Sequence, residues 1–198
     1  MEPTATTGSQ VKKGPSYTWD DFLALYDDDR RELIDGELIE VEVPTKLHEH
    51  IVGLIYFYLQ AWTMKNGGLS LVSGYKVRIS NTRGVMPDVQ YYRPENPAAQ
   101  TFEDTYDTPP DLAVEIISPS SRTTDRKKKL SWYAEIGVPE YWLIDPDARL
   151  LQRYILRDNV YVQADSAGGD DLFRPDTFTE LEIPLAQLWT IAPASAQK

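Results

Sequence analysis

Apolar and polar positions alternate along this chain with two periods, and the points where the period changes mark its elements. Trp19, Phe22, Leu23 and Tyr26 recur at helical spacing behind Thr18, which predicts a short helix with Thr18 as its N-cap. "RELIDGELIEVEV" alternates on both sides of Asp35-Gly36, the signature of a tight hairpin. Leu47, Ile51, Leu54, Ile55, Tyr58, Leu59 and Trp62 then form one stripe of a long helix that Asn66, Gly67 and Gly68 stop. Strand-like segments follow in series: "LSLVSGYKVRIS", a turn at "NTRG", "MPDVQYY" and "DLAVEII". A helix over about 126–136 is closed by Gly137 and Pro139, and "EYWLID" comes next. "RLLQRYIL" and "NVYVQA" complete the series across a turn at 157–159. Residues 165–171 read as an exposed loop, and "FTELEIPLAQLW" has no clear local preference. This order predicts an α/β (α+β mixed) fold, a central mixed sheet flanked by helices, in a single domain over 17–190. Residues 1–16, which hold almost nothing to bury, are expected to be a disordered lead, and 191–198 a tail.

Composition narrows the chemistry. The 198 residues are 41% hydrophobic and include no cysteine, so a real core is affordable but disulfides, thiolate metal sites and catalytic thiols are excluded. No stretch approaches the roughly 20 apolar residues of a membrane span, and a soluble, cytoplasmic protein without membrane partners is expected. The formal net charge is −11, so any nucleic-acid site must be a local patch. One such patch exists: residues 122–130 hold five basic residues against one acid. By contrast, Asp20 to Glu49 hold eleven acids against three basic residues, a region that should avoid DNA.

Glu115 stands out because it interrupts the apolar run Leu112, Ala113, Val114, Ile116, Ile117. Alternation puts Leu112, Val114 and Ile116 on one face and Ala113, Glu115 and Ile117 on the other. A carboxylate there requires a cation, a metal or a raised pKa; it either pairs with an arginine at the strand's open end or belongs to a site. Asp88 opens the short strand of "MPDVQYY" and can face Glu115, although an aspartate after proline is also a common turn residue. Two converging carboxylates suit a hard divalent ion. Among the lysines, helical spacing puts Lys128 with Ser131 and Glu135 on an outward face, and Lys129 beside the inward stripe of Tyr133 and Ile136. Lys129 is therefore the candidate, with Tyr133 either its buttress or plain core, and Asp125 a helix cap. The serines of "SPSS" read as the turn before that helix. His48 and His50 are two apart and diverge, so they cannot form a zinc pair, and a lone His48 stands either near the site or, as expected, at the surface. No glycine-rich phosphate loop is present.

Proline-aspartate, a glutamate one strand later and then a lysine resemble the PD-(D/E)xK nuclease superfamily. The wider set "ELIDGELIEV", a histidine after a proline near the long helix, "PDV", "PDLAVEIISPSSRTTDRKKKL" and "YAEIGVPEYWLIDP" resembles the Uma-two family of bacterial restriction-endonuclease-like proteins, over roughly residues 17–165. The resemblance implies a restriction-endonuclease-like fold and a metal-dependent endonuclease acting on DNA. In it Asp88, Glu115 and the carbonyl of Ile116 would bind Mg²⁺ or Mn²⁺, and Glu32 would add a further acid. The superfamily's lysine usually stands two residues after the glutamate; here that residue is Ile117, and Lys129 takes the place of a lysine migrated to the next helix. A non-catalytic binding module on the same fold is the alternative. Compact nucleases commonly cut as homodimers, for which Trp132, Tyr141 and Trp142 are either interface or core.

Overall fold

The computed structural model of the chain describes residues 16–26, 29–41, 43–118 and 124–191, the side chains of 124–127 excepted. The expected lead before Ser16, the tail after Ile191, most of the serine-proline turn and the Asp125 cap lie outside those residues.

Helix α1 (Trp19–Leu23) begins at Thr18 through a reciprocal cap: the Thr18 hydroxyl accepts from the Asp21 N–H, and the Asp21 carboxylate accepts from the Thr18 N–H at 2.8 Å. It ends sooner than its stripe suggests. Trp19 and Phe22 are buried, but Tyr26 lies past the last turn and is exposed. Strands β1 (Arg31–Ile34) and β2 (Glu37–Glu40) pair in the expected hairpin, with Asp35 at φ 52° and Gly36 at φ 83°. Positive φ at both central residues is what an Asp-Gly turn supplies. Helix α2 (Lys46–Asn66) starts at Thr45, whose hydroxyl accepts from the His48 N–H, and stops at Gly67, φ 86°.

The segment 69–80 is two strands rather than one. Ser73 and Gly74 take φ of 20° and 89°, which no continuous strand allows, so β3 (Leu69–Val72) and β4 (Val77–Ser80) part into different sheets. The turn expected at "NTRG" is likewise shorter, because Arg83–Val85 forms β5 and pairs with both β4 and β1. These strands make an antiparallel sheet in the order β2-β1-β5-β4.

The larger sheet contains β6 (Val89–Tyr92), β7 (Leu112–Ile116), β8 (Glu140–Asp145), β9 (Leu150–Arg157) and β10 (Val160–Gly168) together with β3. Its order is β10-β9-β8-β7-β6-β3, and it is mixed because β7 and β8 run parallel while the other neighbours run antiparallel. Helix α3 (Thr124–Glu135) makes the β7-to-β8 crossover that a parallel pair requires. The expected loop at 165–171 begins late: β10 runs on to Gly168 after a register shift between Gln163 and Asp165. Two short strands, β11 (Leu172–Phe173) and β12 (Ile183–Pro184), pair near the end.

Alternation along β7 sorts its side chains between two cores. Leu112, Val114 and Ile116 join Ile51, Ile55 and Leu59 of α2 on one face. Ala113 and Ile117 join Trp132 and Tyr133 of α3, Tyr141 of β8 and Val77 and Val85 of the small sheet on the other. Burial on both faces removes apolar area worth about 25 cal/mol per Å² and leaves Glu115 enclosed. Trp132, Tyr141 and Trp142 are all buried in these cores.

Candidate functional site

The pairing Val89↔Val114 sets Asp88, one residue before β6, beside the end of β7. There an Asp88 carboxylate oxygen, Oδ2, accepts from the Ile116 N–H at 2.7 Å. Glu115 turns to the opposite face from Ile116, under α3. Its two carboxylate oxygens each accept from the Lys129 ammonium at 3.1 Å, and Oε1 also accepts from the Tyr133 hydroxyl at 2.6 Å. Glu32 arrives from the other sheet: its Oε1 accepts from Lys129 at 3.1 Å and from the Met86 N–H at 3.0 Å. The periodicity of α3 explains the choice of lysine, since Lys129 is 6% exposed while Lys128 points to solvent. Lys129 thus contributes its charge inside the protein rather than at the surface.

His48 departs from the expected surface position. Thr45 places it in the first turn of α2, and its ring turns inward, 14% exposed, with Nε2 3.4 Å from Asp88 Oδ2. The other ring nitrogen, Nδ1, is buried without a hydrogen-bond partner. His50 diverges as expected and reaches the Gln187 carbonyl at 3.0 Å. Helical phase was the available signal, because His48 stands three, four and seven residues before Ile51, Val52 and Ile55, all buried.

Among the described residues, three carboxylates meet one ammonium and one imidazole here. Burial drives the Glu115 pKa up to about 8; Lys129 and the Tyr133 hydroxyl oppose that rise, and the charges of Asp88 and Glu32 add to it. Burial, then Glu115 itself, raises the Tyr133 hydroxyl well above the usual tyrosine range. For His48, burial favours the neutral ring, but the hydrogen bond and charge of Asp88, with Glu49 and Glu115, outweigh it and raise the pKa.

The donor chemistry here fits a hard divalent ion. Asp88 and Glu115 come from adjacent strands, and the excess negative charge that burial makes costly is what such an ion neutralises. Among the described residues no three His, Asp or Glu side chains form a ready cage, so the fit is to a two-carboxylate site completed by water and substrate oxygens. The N–H and C=O of a strand residue point to the same side, so the Ile116 carbonyl faces the Asp88 side of β7. Ile117, at the superfamily's usual lysine position, is buried in the α3-side core. Glu32, Glu115 and Lys129, expected on sequence grounds, are therefore in direct contact, and Asp88 lies against the neighbouring backbone.

Comparison with known proteins agrees with this architecture. A search of curated proteins finds no match. Among solved structures, a protein described as a putative nuclease belonging to DUF820 from Anabaena variabilis ATCC 29413 superposes with a TM-score of 0.71 at 21% identity. The match covers 87% of this chain and 97% of that one, and it shows a shared restriction-endonuclease-like fold. The Uma2 family model, described as "putative restriction endonuclease", matches residues 19–186, which include every residue of the pocket, and the chain belongs to that family.

Proposed function

We propose that the protein is a metal-dependent endonuclease that hydrolyses phosphodiester bonds in DNA, with Asp88, Glu115, Lys129 and Glu32 as its working residues. The observation that carries this reading is the contact of one buried ammonium, Lys129, with carboxylates from two different sheets, next to Asp88. The family's description supports the reaction class. Asp88 and Glu115, with the Ile116 carbonyl, would hold Mg²⁺ or Mn²⁺, which when bound polarises a phosphate and acidifies water. Lys129 brings a fixed positive charge to the place where negative charge grows on the phosphate in the transition state. Glu32 holds that ammonium from the far side, and Tyr133 fixes the Glu115 carboxylate, so neither has to reorganise when substrate arrives. In this reading residues 17–190 work as one domain in the cytoplasm, and two copies pair to cut both strands.

Plasmid and linear DNA incubated with Mg²⁺ should be cut by the wild type and left intact by Asp88→Ala, Glu115→Ala and Lys129→Ala. Equal behaviour of all four proteins would count against the assignment. Burial of Ile117 in the core favours one competitor, a binding module without turnover. Calorimetry separates the two, since such a module would bind no Mn²⁺ at millimolar concentration.

A further inference from the structure

Among the pocket's residues, His48 is the one whose presence neither folding nor the scheme above accounts for. Its ring is 14% exposed, and its Nδ1 is buried with no hydrogen bond among the described residues, 3.9 Å from Glu49 Oε1. A buried nitrogen left without a partner is destabilising, so an apolar ring or a leucine would fill this space more favourably. What the imidazole offers instead is Nε2, 3.4 Å from Asp88 Oδ2, the same oxygen that accepts from the Ile116 N–H at 2.7 Å. Asp88 also needs holding. It is a carboxylate that follows a proline just before a strand, and its charge and that of Glu32 act on Glu115.

We infer that His48 is a positioning residue, which donates Nε2–H to Asp88 Oδ2 and so clamps that carboxylate between helix α2 and the Ile116 amide. The clamp is stiff at both ends. The His48 backbone is fixed by the Thr45 cap at 3.1 Å, and Ile116 belongs to a strand paired on both sides. Partners of this kind, one step behind a ligand, typically change metal affinity 10–100-fold. The inference rests on the proposed role of Asp88 for its functional consequence, but the clamp itself exists or fails without any metal.

Two measurements on the full chain test it. In the metal-free protein, the Ile116 amide proton reports the Asp88 bond: His48→Ala should shift it upfield and speed its exchange, and His48→Gln, which keeps an N–H donor, should restore it. In Mn²⁺ calorimetry, His48→Ala should bind about 10–100-fold more weakly, and His48→Gln should regain most of the loss. An Ile116 amide unchanged in His48→Ala, or altered equally in both variants, overturns the clamp. Should Asp88→Ala bind Mn²⁺ as well as the wild type, the metal reading fails, and the amide experiment still decides whether His48 holds Asp88.

Discussion

The Lys129 ammonium is equidistant, at 3.1 Å, from the two carboxylate oxygens of Glu115, and both side chains are about nine-tenths buried. Removing one member of such a pair leaves the other charged and unsolvated. Lys129→Ala is therefore expected to lower the unfolding free energy by about 3–5 kcal/mol at pH 8 and above, read from urea denaturation. The loss should shrink in acid, where a protonated Glu115 no longer needs the cation.

The direction of the Glu115 shift fixes a pH dependence. Its folded pKa, about 8, lies above the ordinary 4.5, so the folded state binds the proton more tightly than the unfolded chain. The stabilisation from this group is complete below about pH 4.5 and is lost as pH rises through 8. Glu115→Gln should flatten that slope, because the group that titrates is gone. A slope unchanged between pH 5 and 9 would contradict it. The same variant should not cut DNA.

Tyr133→Phe keeps the ring and deletes one donor at 2.6 Å from Glu115. A hydrogen bond to a charged group contributes about 1.5–3 kcal/mol, and its loss should push the Glu115 pKa further up. Titration of the Glu115 side-chain carbon by NMR would show the shift, and an unchanged midpoint would mean that the hydroxyl holds nothing.

Gly84 sits opposite Leu33 in the small sheet, where an added methyl would lie 2.6 Å from the Trp19 ring and 2.7 Å from that of Phe22. Those rings are packed edge to face at 5.6 Å and cannot both retreat. Gly84→Ala should cost about 1–3 kcal/mol by overpacking, measurable as a lower urea midpoint. Because β1 also carries Glu32, the variant should weaken the contact of Glu32 with Lys129.

Much of this was legible before any coordinates. Asp35-Gly36 declared its hairpin, Gly67 its helix stop, and Glu115 its need for a cation, a metal or a raised pKa, because each breaks a local rule that few remedies satisfy. Lys129 was separable from Lys128 by helical phase alone. What stayed hidden depends on long-range pairing. Nothing local tells Arg83–Val85 to extend along β1, or sends β3 and β4 to different sheets. The contact of His48 with Asp88 depends likewise on the β6 end that α2 crosses, which no periodicity within the helix specifies.

Glu32 and Glu115 belong to separate sheets, and the Lys129 side chain bridges them. Neither sheet owns the centre. A newly made or partly opened molecule has the same three residues but scatters them, so whatever chemistry they perform becomes available only once the two sheets are docked. Competence is in that sense an assay of the native state.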